Sequence, residues 1–498
     1  MSIRNLASRG TDRLDGLALR GALPGLEPAH DALRAGLDGG MVWLFCATAF
    51  VSAFLLFWVQ PLIAKLLLPL LGGSPAVWNT AMMFFQLVLL AGYLYVHLLR
   101  RLAVWVQFAV HAALLGFCLL LLPFGTAAGL VPPSGGDGSP LLWLLGTLAA
   151  LVGLPFFALS ASAPLLQSWF GRSAHRHAAD PYFLYAASNL GSFVSLLGFP
   201  LVLERELRLA EQGAAWAWLF AALFALVGAC FGLLWLSGGR LARSAPVAAA
   251  EPDAAPRAAW GQRARWVALA FVPSSLLLGV TSYVATDLAS VPLLWVLPLA
   301  LYLLTFIIAF AGRPDGSRGG LMDRGLMVGL VMVTVLLACS RLLTLPLPAW
   351  VTVPGHIVGF FLIALGCHGW LARLRPSTAR LTEFYLCLSI GGALGGVLNA
   401  LIAPMVFTST YEYEIGLALA GTLGLLVGVR TRLRVSDVLL PLLLFVGLLG
   451  MTILLKRDDW VTALGGWPPK GFSWIRSRTG TEPSSSRCMN RMSQGFSR

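Results

Sequence analysis

Thirteen apolar stretches follow one another between about residues 41 and 455, and each is long enough to cross a lipid bilayer as a helix. A helix needs roughly 20 apolar residues to span the hydrocarbon core. The stretches are 41–64, 78–99, 102–122, 141–166, 183–203, 214–237, 266–285, 290–311, 324–345, 350–372, 384–408, 413–429 and 435–455. They predict an all-α polytopic membrane protein with about 13 transmembrane helices. Barrel strands are excluded because they alternate over only about 10 residues.

The composition excludes a water-soluble globule. Hydrophobic residues make up 58% of the chain and charged residues 11%, whereas soluble domains carry about 25% charged residues. Six of the seven cysteines lie in apolar stretches, and no C-x-x-C occurs, so no disulfide framework or thiol metal site is expected. The chain has no P-loop, nucleophile elbow, kinase or zinc-protease motif, which argues against a primary pump. We expect no bound metal and no cofactor.

The basic residues orient the chain. With the N-terminus inside, the N-terminal arm and inner loops hold 23 Lys and Arg, and the outer loops hold four. This asymmetry follows the positive-inside rule, so the net charge of +13 does not require nucleic acid as a partner. We expect a cytoplasmic N-terminus and no signal peptide. Thirteen spans would place the basic tail outside, so either one span is miscounted or the tail is abnormal.

Three pairs of short strings recur six spans apart and in the same order. They are Pro75-Ala-Val-Trp78 with Pro292-Leu-Leu-Trp295, Phe50-Val-Ser with Phe271-Val-Pro, and Tyr185–Gly191 with Leu386–Gly392. Six spans is an even number, so the two halves would share one orientation and one extra helix would follow. This plan resembles the parallel repeats of major facilitator transporters, whose binding sites lie between the halves near the midplane.

The repeat predicts a division of the chain into six segments. We expect a disordered cytoplasmic arm (1–40), a first six-helix half (41–237), a cytoplasmic linker (238–265), a second six-helix half (266–430), an extra helix (431–455) and a disordered or truncated tail (456–498). The linker is rich in Ala, Pro, Gly and Arg, which is typical of a disordered connector.

Four longer strings are unusual enough to suggest a family. They are Gln60–Lys65 with Gly72–Asn79, Leu184–Gly191, Pro273–Gly279 with Thr286–Trp295, and Thr382–Leu386 with Gly391–Gly396 and Asn399. Over residues 41–455 the chain resembles the membrane domain of bacterial spermidine synthase-like proteins, a major-facilitator-like region often fused to an aminopropyltransferase-like domain. The resemblance implies a bacterial inner (plasma) membrane protein.

The resemblance also frames the expected function. It implies a transporter-like or substrate-channelling module for a polyamine or a related small cationic solute. The alternative is a membrane anchor for a spermidine synthase-like enzyme whose soluble domain is missing or separate, which would then be a partner. Residues 456–498 show no strand–helix pattern, so we expect no aminopropyltransferase domain in this chain and do not expect it to act as an enzyme. A third reading is a scaffold without transport.

Polar residues inside apolar stretches are candidates for a site because they are costly in a membrane. Lys65 and Asp287 fall at equivalent ends of the first helix of each half, which predicts a gate pair or substrate contact; simple interfacial anchoring is the alternative. Glu383, like Asp180, opens a stretch and would either cap a helix or bind a cation. The in-span amides would either line a cavity or bond neighbouring helices; they are Gln60, Asn79, Gln86, Asn189 and Asn399.

Overall fold

The computed structural model describes most of the apolar part of the chain. The described residues are 27–71, 75–122, 139–173, 175–178, 180–237, 260–287, 296–311, 333–334, 337, 349–377, 380–407, 411–427, 443 and 447. Within them the chain forms eleven helices, here numbered α1–α11. They are α1 (Glu27–Leu71), α2 (Pro75–Leu99), α3 (Val104–Leu120), α4 (Pro140–Phe170), α5 (Tyr182–Glu206), α6 (Leu209–Ser237), α7 (Trp260–Asp287), α8 (Val296–Ala311), α9 (Ala349–Arg373), α10 (Leu381–Val406) and α11 (Tyr411–Val427).

Eight of the described helices are long and apolar enough to cross a membrane, and α3 and α8 are shorter apolar helices. The protein is therefore a polytopic all-α membrane protein, as the apolar stretches predict. Eleven of the thirteen predicted stretches coincide with α1–α11. The stretches 324–345 and 435–455 lie outside the described residues apart from a few isolated positions, as do the predicted tail, residues 1–26 of the arm and residues 238–259 of the linker. Residues 27–40 of the arm and 260–265 of the linker are described as helical, at the starts of α1 and α7.

Exposed tryptophans mark the two membrane interfaces. Tryptophan concentrates where hydrocarbon meets the headgroups, because its ring is apolar and its N–H is polar. Trp218 and Trp235 lie on α6, and at 1.5 Å per residue they are about 26 Å apart, close to the hydrocarbon thickness of about 30 Å. One level holds the exposed Trp43, Trp105, Trp235 and Trp260, and the other holds Trp218 and Trp350. We call the first level the basic end, because Arg100, Arg172, Arg263 and Arg375 lie there, and the second the opposite end.

The helices pack in two sets with the same pairing. In the first set α1 packs against α4, α5 and α6, and α2 packs against α4. In the second set α7 packs against α9, α10 and α11, and α8 packs against α9. The two sets meet where α2 crosses α10 and where α5 crosses α8. This is the pairing that a duplicated six-helix unit predicts. The exact domain boundaries remain predictions.

Buried side chains follow the same division. One apolar cluster is built by α1–α6 and runs from Met41 to Leu234. The other is built by α7–α11 with Leu337, and three residues of the first set join it: Met82, Tyr182 and Leu196. Aromatic members of both clusters reach the junction, where Phe85 and Phe156 of the first cluster and Phe306 of the second border the space described next.

Glycine sets how closely α5 and α10 approach their main partners. A Cβ on Gly191 of α5 would clash with the carbonyl oxygen of Phe50 on α1. A Cβ on Gly391 of α10 would clash with the carbonyl oxygen of Val267 on α7. Small residues let two helix backbones meet at close range in a membrane. Both helices also contain a π-helical stretch further along, at Phe199–Leu203 and at Leu398–Ile402.

Candidate functional site

A cavity of about 180 Å³ lies between the two helix sets, at the middle of the bundle. Seven helices line it: α1, α2, α4 and α5 from the first set, and α7, α8 and α10 from the second. Its lining residues fall in the middle third of most of these helices, so the cavity lies deep in the membrane. Ligand sites for drug-sized molecules measure about 300–1,000 Å³, so this space suits a smaller solute.

The lining is uncharged and strongly aromatic. None of the described lining residues is Asp, Glu, Lys, Arg or His. Seven rings face the space: Phe57, Phe85, Tyr93, Phe156, Tyr185, Tyr302 and Phe306. Two of them are in edge contact, since the ring centres of Tyr185 and Phe306 lie 5.8 Å apart across α5 and α8. Aromatic faces carry negative quadrupole density and attract cations.

Three amides in the lining are held by their nitrogen atoms. Gln60 donates from Nε2 to the carbonyl oxygen of Leu56 at 3.3 Å, and Asn189 donates from Nδ2 to that of Tyr185 at 2.8 Å. A carbonyl oxygen can only accept, which defines the amide orientation. The amide oxygen, an acceptor, is then the end not tied to the helix.

Gln86 is oriented by a longer chain of hydrogen bonds. Its Nε2 donates to Oγ of Ser274 at 3.0 Å, and that hydroxyl donates its proton to the carbonyl oxygen of Gly392 at 3.0 Å. Because the proton of Ser274 is used, its oxygen must accept from the amide nitrogen. Oε1 of Gln86 is buried and has no hydrogen-bond partner among the described residues. A Cβ on Gly396 would clash with this oxygen, so the glycine leaves room for it.

Hydrogen bonds to the backbone leave most of the lining serines able only to accept. Four of the five donate their hydroxyl proton to a backbone carbonyl: Ser52 to Leu159 (3.2 Å), Ser160 to Phe157 (2.7 Å), Ser192 to Ser188 (3.2 Å) and Ser389 to Leu386 (2.9 Å). A hydroxyl has one proton and two lone pairs, so each of these four retains only acceptor capacity. Ser188, the tyrosine hydroxyls and the second N–H of the lining amides are the remaining sources of donors in the described lining.

Contacts between the helix sets close the basic end below the cavity. Arg375 bonds Asp180 at 3.1 Å, and its guanidinium lies 4.7 Å from the ring centre of Tyr182. The Tyr182 hydroxyl donates to the carbonyl oxygen of Pro376 at 2.9 Å. Deeper in, the Tyr385 hydroxyl donates to Oε1 of Gln167 at 2.7 Å. Each of these bonds joins a first-set segment to a second-set segment, so a solute could leave at this end only if they separate.

The opposite end carries a different set of contacts. Asn79 of α2 donates from Nδ2 to Oγ of Ser282 on α7 at 3.0 Å, which joins the two sets. Lys65 forms an ion pair with Glu204 at 2.5 Å, which joins α1 to the end of α5 within the first set. At this end the amide–hydroxyl bond joins the two sets, whereas the Lys65–Glu204 ion pair stays within the first set.

Some of the residues singled out in the sequence line the cavity, and others bond to a neighbouring helix. Gln60 and Asn189 line the cavity, as does Gln86. Asn79 and Asn399 bond neighbouring helices instead, with Asn399 donating to Oγ of Ser275 at 2.9 Å. Glu383 pairs with Arg263 of α7 at 2.6 Å. Lys65 pairs with Glu204, while the side chain of Asp287 lies outside the described residues, so the Lys65–Asp287 gate pair stays a prediction.

Sequence reasoning missed the serines and the aromatic wall of the cavity. A signal for them exists in the spacing of polar residues within apolar helices. Ser52, Leu56 and Gln60 are four residues apart and share one face of α1. Tyr185, Asn189 and Ser192 are spaced by four and three residues and share one face of α5. A single stripe of this kind does not reveal which neighbour it faces, because helix packing also uses small polar residues.

No group of three or more His, Cys, Asp and Glu side chains gathers in the described part of the chain. Two of its buried histidines each bond a single hydroxyl: His111 bonds Oγ of Ser162 at 3.1 Å, and His368 bonds Oγ1 of Thr305 at 2.7 Å. Both bonds join neighbouring helices, the first α3 to α4 and the second α8 to α9.

No known family model matches the sequence, and no curated protein matches it. Solved structures that resemble the chain include three transporters. The xylose transporter XylE from E. coli in an inward open conformation shares 14% identity over 80% of this chain and 99% of that one, with a TM-score of 0.48. The nucleoside transporter NupG shares 13% identity over 83% of this chain and 99% of that one, with a TM-score of 0.46. A bacterial homologue of the iron transporter ferroportin in the outward-facing state shares 16% identity over 82% of this chain and 99% of that one, with a TM-score of 0.49.

These likenesses do not extend to chemistry. Identities of 12–16% leave no basis for carrying over a bound solute from those proteins. Nothing in the comparisons supports fusion to a spermidine synthase-like domain. The function of this chain therefore has to be argued from its own cavity.

Proposed function

We propose that the chain is a secondary-transporter-like membrane module that binds a small amine-bearing cation in the cavity between two six-helix halves. The observation that carries the proposal is the character of that cavity. It is central, uncharged in its described lining, walled by aromatic rings, and supplied with acceptor oxygens whose orientation is set by bonds to the helices. A polyamine or a related small cation, as the family resemblance implies, belongs to this class.

The acceptors favour a solute that donates hydrogen bonds. An ammonium group has three N–H donors and no acceptor, so it can use the oxygens of Gln60 and Asn189. Carbonyl-type oxygens replace the hydration shell of cations in membrane pores, which supports the same chemistry here. A carboxylate or phosphate would instead face lone pairs on most sides. The lining therefore favours cations over anions.

The aromatic wall adds to this preference. A cation over an aromatic face gains about 0.5–1 kcal/mol at exposed sites and about 2 kcal/mol when desolvated. Tyr93, Tyr185 and Tyr302 come from α2, α5 and α8, so the wall draws on both helix sets. Since a solute held there would touch both sets, its binding would respond to their relative movement. That response is what alternating access requires.

The size of the cavity limits the solute. At about 180 Å³ it lies below the range of drug-sized sites, so a compact amine fits better than a long one. The contacts at the basic end, Asp180–Arg375 and Tyr385–Gln167, close the exit on that side. The proposed cycle therefore alternates between this state and one in which these bonds are broken.

Uptake by the purified full chain in proteoliposomes tests the proposal. The labelled probes are putrescine, spermidine and, as a matched anion, succinate. We expect saturable amine uptake and no succinate uptake. Gln60→Leu should weaken amine affinity about 10-fold or more, because a hydrogen bond to a charged group contributes about 1.5–3 kcal/mol.

Gln262 provides the matched control, since it is a glutamine near the start of α7 and outside the cavity. Gln262→Leu should leave uptake unchanged. Absence of saturable amine uptake, or equal effects of the two leucine variants, would overturn the proposal. Co-purification of a separate aminopropyltransferase-like protein without any uptake would instead favour the membrane-anchor alternative.

A further inference from the structure

Two arginines of the basic end lie side by side at the ends of α2 and α4. Arg100 follows Leu99, the last residue of α2, and Arg172 follows α4 after Gly171. Nη2 of Arg172 donates to the carbonyl oxygen of Arg100 at 3.3 Å. The backbone N–H of Arg172 bonds the carbonyl oxygen of Trp169 at 3.1 Å, so its position after the helix is set by the closing turn of α4.

The described residues place no acid against Arg172. The ion pairs found among them at this end join Arg263 to Glu383 and Arg375 to Asp180. Asp180 is the acid in the connection between α4 and α5, and it is already bonded to Arg375. Arg172 is only partly exposed, and burial together with the charge of Arg100 lowers its pKa to about 10. It is therefore still a cation at neutral pH, next to a second cation.

The pair lies at the level of the membrane headgroups. Trp105, at the start of α3, is exposed and belongs to the tryptophan level of the basic end. Trp169, near the end of α4, is fully buried one turn before Arg172. Two arginines between helix ends at this level match the basic pockets that hold anionic headgroups in other membrane proteins. Arginine forks also match phosphate geometry, because they offer parallel N–H donors.

We propose that Arg100 and Arg172 form a binding site for the phosphate of an anionic phospholipid in the leaflet at the basic end. The headgroup supplies the negative charge that the described residues do not place at Arg172. The contrast with the second helix set supports this assignment, because Arg263 and Arg375 each have an acid partner and no acid among the described residues pairs with Arg172. The site is separate from the central cavity, so it does not depend on the proposed transport function.

Lipid binding to the purified full chain tests this site. The chain in a neutral detergent is titrated with short-chain phosphatidylglycerol or phosphatidylcholine, and bound lipid is counted by native mass spectrometry. We expect at least one phosphatidylglycerol to bind more tightly than phosphatidylcholine. Arg172→Gln should weaken phosphatidylglycerol binding roughly five-fold or more, as expected for the loss of one arginine at the membrane surface.

Arg176→Gln is the matched control, because Arg176 is an exposed arginine in the same connection and the variant changes the net charge equally. It should change the affinity less than two-fold. Arg172→Lys keeps the charge and should retain part of the affinity, which separates charge from misfolding. Equal losses in Arg172→Gln and Arg176→Gln would overturn the site, as would equal binding of both lipids. Competition by 50 mM inorganic phosphate strong enough to abolish lipid binding would assign the pair to a free anion and also overturn the proposal.

Discussion

Replacing Gly191 by alanine probes the closest approach between α1 and α5. A Cβ there would clash with the carbonyl oxygen of Phe50 and lie 3.0 Å from its carbonyl carbon and Cα. Carbon atoms in contact prefer about 3.5–4.0 Å, so α5 would have to retreat from α1 by roughly 0.5–1 Å. The obstacle is backbone, which cannot rotate away as a side chain could.

The size of the effect follows from two opposing terms. Overpacking a well-packed interface costs about 1–3 kcal/mol. Alanine in a helix is favoured over glycine by about 1 kcal/mol, which offsets part of that cost. Gly198 lies on the same helix with helical backbone angles, and a Cβ there would have no atom within 4 Å. Gly198→Ala therefore gains the helix propensity of alanine without an overpacking cost. The free energies of unfolding of the two variants should differ by about 1–3 kcal/mol, the cost of overpacking.

Thermal melting of both variants in one detergent measures this difference. Gly191→Ala should melt several degrees below Gly198→Ala, which should match or exceed the unchanged chain. Gly191→Ala should also weaken solute binding, because Asn189 lies on the same stretch of α5. Equal melting temperatures for the two variants would refute the close approach of α1 and α5 and, with it, the packing that positions the cavity.

The ion pairs yield two further predictions. A double-mutant cycle of Asp180→Asn and Arg375→Gln should give a coupling energy of only about 0.5 kcal/mol, since the Asp180 side chain is 55% exposed. Either single variant should nevertheless raise the access of a cysteine-reactive probe to the cavity from the basic end. Unchanged access would refute the closure described there. Uptake lost through Lys65→Glu should be restored by Glu204→Lys if the described pair matters, and by Asp287→Lys if the predicted gate pair exists. Rescue by neither would show that Lys65 serves only as an interfacial anchor.

The candidate site was partly accessible from the sequence. Gln60 and Asn189 stand out because amides are rare in long apolar runs, and both line the cavity. Asn399 stands out equally, yet it bonds Ser275 of a neighbouring helix. The two roles share the same local pattern, so only the packing partner separates them. The same holds for Glu383, whose partner Arg263 lies on another helix.

The sequence by itself determined that the chain crosses a membrane many times as helices, because apolar runs of that length in lipid must satisfy their backbone groups within each segment. It also indicated a recurring order in the two parts of the chain. Only the tertiary structure decided which polar side chains meet, for example that Lys65 pairs with Glu204 and that Gln86 reaches Ser274. Such partners are distant in the chain, and their contact depends on the angle and spacing of whole helices, which glycines such as Gly191 and Gly391 set by letting backbones touch.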